Sequence, residues 1–162
     1  MVRLPFTRIM IKTKQTVLSL KSYIDAQPKS IQLCHIDAVP DNFLFVTGKD
    51  GSEEVKLTDW EYAGMQDPHL DVAMFIIYAM YDRDSAEKLI DLYFSDGCDK
   101  ATRLKIYCYI AVSGLVWSNW CEFKRHCGVE FGAYAQRQYD YAREYTKIFF
   151  KEYREAFGRD YV

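Results

Sequence analysis

Apolar residues recur at intervals of three and four along most of this chain, which is typical of helices that bury one face. Charged and amide side chains occupy many of the positions between them. Pro28 and the pair Asp96-Gly97 interrupt the pattern and indicate helix ends. The pattern predicts five helices, over about residues 8–26, 68–81, 85–94, 100–124 and 133–157.

The helix predicted over residues 100–124 carries two apolar stripes on nearly opposite sides. One stripe holds Leu104, Cys108, Ala111 and Leu115, and the other holds Ile106, Ile110, Ser113, Trp117 and Trp120. A helix that is apolar on both sides is buried on both sides. We therefore expect one face to join the core and the other to line a pocket.

Between the first two helices the pattern changes to two short apolar runs, residues 43–46 and 55–57, joined by a Thr-Gly-Lys-Asp-Gly-Ser segment. Such a segment predicts a β-hairpin, since Gly and Asp tolerate the backbone angles of a tight reversal. Asp37 and Asn42 precede the first strand, and Asp59 follows the second. Antiparallel pairing brings Asp59 back beside Asn42, and their oxygen atoms suit a hard cation such as Mg²⁺. Taken alone, Asp37 and Asn42 also fit an ordinary polar turn.

Composition and charge narrow the functional classes. The 162 residues are 49% hydrophobic with a net charge of −2, which predicts one domain with a sizeable core and gives no basic surface for nucleic acid. No apolar run is long enough to span a membrane. Residues 1–10 show no secretory signal, and five irregularly spaced cysteines favour a reducing compartment, so we expect a cytoplasmic protein without a membrane partner.

The polar residues around the hairpin resemble a known pair of motifs. His35-x-Asp37 with Asn42 five residues further on, followed by Asp59 after a hairpin, is similar to the catalytic loop and metal-binding aspartate of protein-kinase-like phosphotransferases. The flanking sequences, Leu-Cys-His-Ile-Asp-x-Val-Pro-x-Asn and Asp-Trp-Glu-Tyr-Ala-Gly-Met-Gln-Asp-Pro-His-Leu-Asp, narrow the resemblance to the choline and ethanolamine kinase family, nearest to its bacterial LicA-type members.

This resemblance implies an α+β, mainly α fold, the C-terminal lobe of a protein-kinase-like phosphotransferase with a small catalytic hairpin. The implied reaction transfers the γ-phosphoryl group of ATP to the hydroxyl of choline, with Mg²⁺ as cofactor. Asp37 is then the base or orienting group for the hydroxyl, while Asn42 and Asp59 are the metal ligands. His35 and Asp71 are expected to support the loop rather than contact substrate.

The same resemblance points to an aromatic pocket. A quaternary ammonium has no N–H to donate, so ring faces are the groups that attract it. The expected substrate-binding residues are Glu61, Tyr62, Trp117, Trp120, Phe131 and Tyr134. The competing interpretation is that these rings belong to an ordinary core, because aromatic residues make up 16% of the chain.

The family's nucleotide-clamping lobe has no counterpart in this sequence, since only about thirty residues precede the catalytic motif and they contain no Gly-rich loop. We therefore expect residues 1–162 to form a single C-terminal lobe. Whether this lobe is active without a nucleotide-clamping lobe stays open. Three alternatives remain: an ethanolamine, aminoglycoside or other small-alcohol kinase, a non-catalytic ligand- or partner-binding lobe, and a plain helical interaction protein. A homodimer contact through the charged face of the last predicted helix also remains an open alternative.

Overall fold

The computed structural model describes the backbone of residues 4–161 and the side chains of residues 10–161. Residues 1–3, on which part of the expectation about a secretory signal rests, lie outside the described residues. The elements in chain order are α1 (Leu4–Ser19), α2 (Lys21–Ala26), β1 (Gln32–Cys34), a 3₁₀ turn (Pro40–Asn42), β2 (Phe43–Thr47), β3 (Glu53–Leu57), β4 (Gly64–Gln66), α3 (His69–Tyr78), α4 (Arg83–Tyr93), α5 (Lys100–His126) and α6 (Ala133–Phe157).

The two longest helices, α5 and α6, form the centre of the core. They approach each other closely at Gly114, where an added Cβ would lie 2.7 Å from the carbonyl oxygen of Gln138 and 2.8 Å from Cβ of Tyr141. Large side chains such as Tyr107 and Phe149 fill the surrounding space and are fully buried. This packing determines where the C-terminal part of α5 and the N-terminal part of α6 lie.

The N-terminal segment was predicted as one helix and is two, with a break at Leu20. Ser19 and Ser22 donate side-chain hydrogen bonds to the carbonyl oxygens of Thr16 and Ser19, at 2.7 and 3.0 Å. Such bonds compete with the regular helical pattern. The Leu20 side chain is fully buried at the break and belongs to the core.

The hairpin is present where the sequence predicted it. β2 pairs antiparallel with β3, and Phe43 lies opposite Leu57. Gly51 takes a positive φ of 83° in the connecting turn, the conformation for which glycine is favoured. The α+β, mainly helical class is therefore confirmed.

A second two-stranded sheet was not predicted. β4 pairs antiparallel with β1, and Cys34 lies opposite Gly64. Strands of three residues are too short to show an alternating pattern in the sequence. The pairing brings the segment after the second motif alongside the segment that leads into the first.

Helix α3 ends three residues earlier than predicted, at Tyr78. Met80 takes a positive φ of 52°, and the N–H of Tyr81 donates to the carbonyl oxygen of Ile76 at 3.1 Å. This arrangement is a Schellman-type stop. The last helical residue, Tyr78, is thereby placed at the edge of the core.

The other predicted helices are also present. α4 begins two residues before the predicted start, where Asp82 accepts a hydrogen bond from the N–H of Ser85 at 2.9 Å, a typical N-cap. α6 has the predicted bounds. None of the described helices is long and apolar enough to cross a membrane.

Candidate functional site

The loop after β1 is held in a strained conformation. Ile36 has a φ of 69°, which is unfavourable for a β-branched residue and costs about 1–3 kcal/mol. The two oxygens of Asp71, at the start of α3, accept hydrogen bonds from the N–H groups of His35 and Ile36, each at 2.8 Å. Asp71 therefore stabilises the turn that presents Asp37.

The His35 ring connects this loop to the end of the hairpin. Its Nε2 lies 2.7 Å from the carbonyl oxygen of Thr58, and because a carbonyl only accepts, Nε2 carries the proton. The ring also packs edge-on against Trp60, with centroids 4.8 Å apart. His35 is 2% exposed, so the structure places it as an internal brace and not as a wall of the cavity described below.

The two ends of the hairpin meet as the antiparallel pairing requires. The backbone carbonyl oxygen of Asn42 accepts hydrogen bonds from the N–H and hydroxyl of Thr58, at 3.0 and 3.2 Å. The side-chain amide of Asn42 donates to the backbone carbonyl of Asp37 at 2.9 Å. Asp59 follows Thr58 directly, with a positive φ of 63°. Asp37, Asn42 and Asp59 are therefore connected through a short network of backbone contacts.

Two oxygen donors in this network are available to a cation. Within residues 10–161, the Asn42 side-chain oxygen and the Asp59 carboxylate accept no hydrogen bond and form no ion pair. The described residues contain no group of three or more His, Cys, Asp or Glu side chains that could hold a metal. Mg²⁺ sites in phosphotransferases commonly use only one or two protein oxygens, with phosphate and water supplying the rest. The donor set fits that kind of site.

A cavity of about 1000 Å³ lies beside the loop, between it and the facing parts of α5 and α6. Asp37 contributes to its wall, as do all six residues that the sequence assigned to the substrate: Glu61, Tyr62, Trp117, Trp120, Phe131 and Tyr134. Asn42 and Asp59 are not among the lining residues. The structure thus brings the expected substrate residues together in one cavity, whereas the expected metal ligands lie outside its lining.

The rings form a continuous row along one side of this cavity. Trp117 and Trp120 are stacked, with centroids 5.9 Å apart and planes inclined by 17°. Phe131 lies 5.2 Å from Trp120 and 6.4 Å from Tyr134. Trp120 is 41% exposed and Tyr62 is 62% exposed. These rings therefore border an open space and are not part of the close-packed core.

The second apolar stripe of α5 lies partly in the core and partly along the cavity. Ile106 and Ile110 are fully buried in the core, whereas Trp117 and Trp120 line the cavity. The expectation that a whole face lines a pocket is correct only for its C-terminal part. Tyr78, the last residue of α3, contacts Trp117 at the change from core to cavity.

The cavity is negatively charged. Its lining includes the carboxylates of Asp37, Asp41 and Glu61, and no Lys or Arg among the described residues. The charge of Glu61 raises the pKa of the adjacent Tyr62 hydroxyl. The nearest cationic contact is that of Lys124, whose Nζ lies 5.5 Å from the ring centroid of Trp120. Carboxylates and ring faces together attract cations.

Five lining residues were not predicted from the sequence, and two of them, Asp41 and Tyr78, carry polar side-chain groups. The Tyr78 hydroxyl donates to Oδ1 of Asp37 at 2.7 Å, and its ring packs edge-on against Trp117 at 5.4 Å. Tyr78 lies seven residues after Asp71, which is two helical turns, so the shared helix face was a usable signal. Asp41 lies directly before Asn42, at a position that the motif leaves open.

Comparison with known proteins gives consistent matches. A sequence profile of the choline/ethanolamine kinase family matches residues 6–96, more than half of the chain. Protein LicA of Haemophilus influenzae is 30% identical over 121 residues, which cover 67% of this chain and 41% of LicA.

Solved structures of related proteins superpose on most of the chain. Choline kinase LicA from Streptococcus pneumoniae has a TM-score of 0.65 and 27% identity, covering 85% of this chain and 47% of that one. A choline/ethanolamine kinase family protein from Mesorhizobium loti has a TM-score of 0.71 and 25% identity, covering 85% and 46%. A structure of LicA in complex with AMP has a TM-score of 0.66 and 27% identity.

These matches agree with the predicted fold class, the C-terminal lobe of a kinase-like phosphotransferase. The chain spans less than half the length of the relatives it matches. The profile match covers both motifs around the hairpin. This chain therefore belongs to the choline/ethanolamine kinase family.

Proposed function

We propose that this chain is the acceptor-binding lobe of an ATP-dependent kinase that phosphorylates choline. The observation that carries the proposal is the single cavity in which Asp37 lies with a row of aromatic rings and two further carboxylates. Membership of the choline/ethanolamine kinase family supports the reaction class. Because the chain spans less than half the length of its relatives, the activity that we propose is that of the whole protein.

Asp37 acts on the hydroxyl of the acceptor. The alcohol oxygen forms a bond to the γ-phosphorus of ATP, and the bond from that phosphorus to the β,γ-bridging oxygen breaks, which leaves ADP. The hydroxyl proton passes to the Asp37 carboxylate. Asp37 lies on the cavity wall, held in place by the loop contacts of Asp71 and Asn42, so it is positioned for this role.

The rings select the cationic end of the acceptor. A trimethylammonium group gains about 0.5–2 kcal/mol from each desolvated ring face that it contacts. The stacked Trp117 and Trp120, with Phe131 next to them, offer several such faces. Asp41 and Glu61 add negative charge without requiring a hydrogen-bond donor on the ligand. This combination favours a quaternary ammonium over a neutral alcohol.

Asn42 and Asp59 would hold Mg²⁺, through one neutral and one anionic oxygen. When bound, the metal neutralises charge on the transferring phosphates. The Asn42 amide donates to the Asp37 backbone, which leaves its oxygen for the metal and couples the metal site to the base. The AMP-bound structure of LicA supports ATP as the phosphoryl donor, and use of ATP is consistent with a cytoplasmic location.

The test is a coupled ADP-release assay on the complete gene product with choline, ethanolamine and an aminoglycoside. We expect Mg²⁺-dependent turnover, with the highest kcat/KM for choline. Asp37→Ala should abolish turnover, whereas Asp96→Ala, in an exposed turn outside the cavity, should not change it. Choline binding without turnover would identify a binding-only lobe, and a faster reaction with the aminoglycoside would identify another acceptor class.

Ethanolamine is the second candidate acceptor. Its primary ammonium has N–H donors, and the carboxylates of Asp41 and Glu61 could accept from them. Measuring kcat/KM for both alcohols in Glu61→Gln separates the two. If ethanolamine is the native acceptor, this variant loses far more activity with ethanolamine than with choline.

A further inference from the structure

Tyr78 joins the two halves of the cavity, the carboxylate that acts on the alcohol and the rings that contact its cationic end. Its hydroxyl donates to Oδ1 of Asp37 at 2.7 Å, and its ring packs against Trp117. We propose that Tyr78 is a positioning residue that orients the Asp37 carboxylate for the acceptor hydroxyl. This inference rests on the proposed function and adds to it a residue that the family motifs do not contain.

The hydrogen bond assigns different tasks to the two oxygens of Asp37. Oδ1 is occupied by Tyr78, whereas Oδ2 has no hydrogen-bond partner within residues 10–161. A carboxylate that is free to rotate would present either oxygen at varying angles. With Oδ1 held, Oδ2 is the oxygen that accepts the proton of the substrate, and its direction is restricted. Orientation of this kind lowers the barrier because less rotational freedom is lost at reaction.

The Tyr78 hydroxyl acts only as a donor at physiological pH. Burial and the hydrogen bond to Asp37 both raise the pKa of Tyr78 far above its ordinary value of 10.0. The phenol therefore stays protonated and does not compete with Asp37 as a base. Its contribution is a fixed, neutral hydrogen-bond donor beside a carboxylate.

Tyr78 itself is held firmly by its neighbours. The residues just before it in α3 are tied to α6, since Gln138 donates to the carbonyl oxygen of Ile77 at 2.8 Å and Tyr141 donates to that of Ile76 at 3.2 Å. The edge-on contact with Trp117 fixes the plane of the Tyr78 ring. The Asp37 carboxylate is thereby held by the helical core, through Tyr78, as well as by its own loop.

The test compares Tyr78→Phe with wild type in the complete gene product. This substitution keeps the ring against Trp117 and removes only the hydroxyl. We expect kcat with choline to fall about 10- to 100-fold, while KM for choline changes less than about 2-fold, since the ring faces remain. Tyr78→Leu, which removes the ring as well, should lower kcat and also raise KM.

Tyr109→Phe is the matched control. The Tyr109 hydroxyl also donates to an aspartate carboxylate, that of Asp67 at 3.1 Å, but Tyr109 does not line the cavity. We expect its kcat and KM to equal those of wild type. If Tyr109→Phe and Tyr78→Phe reduce kcat equally, the effect is a general loss of structure and the assignment of Tyr78 is overturned.

A second measurement tests the contact without turnover. In a double-mutant cycle of thermal unfolding midpoints with Tyr78→Phe and Asp37→Ala, each of which removes the hydrogen bond, we expect non-additive shifts, whereas additive shifts would contradict the hydrogen bond. Absence of choline phosphorylation in wild type would contradict the proposed function. Wild-type turnover with an unchanged kcat in Tyr78→Phe would contradict only the role of Tyr78.

Discussion

The ammonium of Lys105 lies 2.7 Å from Oδ2 of Asp67, and both side chains are buried, at 2% and 4% exposure. Lys105 also donates to the carbonyl oxygen of Pro28 at 2.8 Å. Asp67 in turn accepts from the N–H of His69 at 3.1 Å, in the first turn of α3. This ion pair therefore joins α5 to the start of the helix that carries Asp71.

Lys105→Met should destabilise the fold by about 3–5 kcal/mol, because it leaves the Asp67 carboxylate buried without its cation. Unfolding in urea measures the change. Lys151→Met is the control, since Lys151 forms only an exposed pair with Glu155, and pairs of that kind contribute about 0–1 kcal/mol. A loss below about 1 kcal/mol in Lys105→Met would show that Asp67 is satisfied by other groups.

Acidification should destabilise the protein through His69. Burial and the nearby charge of Lys105 lower the pKa of His69 below its ordinary value of 6.5, although Asp67 acts in the opposite direction. A lowered folded-state pKa means that the unfolded chain takes up the proton first, so stability is present above pH 6.5 and is lost as the pH falls through the folded-state value. Unfolding free energies measured between pH 7 and about pH 5 should decline in wild type and decline less in His69→Gln. An equal slope in both proteins would refute the assignment to His69.

Gly114→Ala should destabilise the packing of α5 against α6. The added methyl group would lie 2.7 Å from the Gln138 carbonyl oxygen and 2.8 Å from Tyr141 Cβ, and such overpacking costs about 1–3 kcal/mol. The gain in helix propensity offsets at most about 1 kcal/mol. Gly64→Ala is the control, since an added Cβ there meets nothing within 4 Å. Thermal unfolding of both variants measures the effect. Equal unfolding midpoints would mean that α5 and α6 move apart easily to accommodate the methyl group.

Trp120→Leu should weaken the binding of choline and have little effect on kcat. Loss of one ring face removes about 0.5–2 kcal/mol, which corresponds to a rise in KM of about 2- to 30-fold. Phe123→Leu is the control, because Phe123 lies on the same helix, is exposed and does not line the cavity. Steady-state kinetics at varied choline concentrations give the KM of each variant. A wild-type KM in both Trp120→Leu and Phe123→Leu would contradict a ring contact with choline.

Local features of the sequence were sufficient to predict much of the fold. The hairpin follows from a six-residue Gly- and Asp-containing turn between two apolar runs, and α6 follows from a long apolar repeat that ends at Gly158. These elements depend on residues that are close in the chain. The residues predicted to bind the substrate lie together in one cavity, but they were grouped through the family resemblance of their motifs and not through local propensity.

The tertiary structure alone decided the contacts between distant segments. The β1–β4 pairing, the Lys105–Asp67 ion pair and the hydrogen bond from Tyr78 to Asp37 each join residues thirty or more positions apart. Periodicity and turn chemistry report only on near neighbours, so a helix face shared with Asp71 can single out Tyr78 but does not identify Asp37 as its partner. Residue types and motif spacing predicted which side chains are candidates for the chemistry. Packing of α3 against α5 and α6 decided which of them meet, since burial in a shared core is a property of the whole chain.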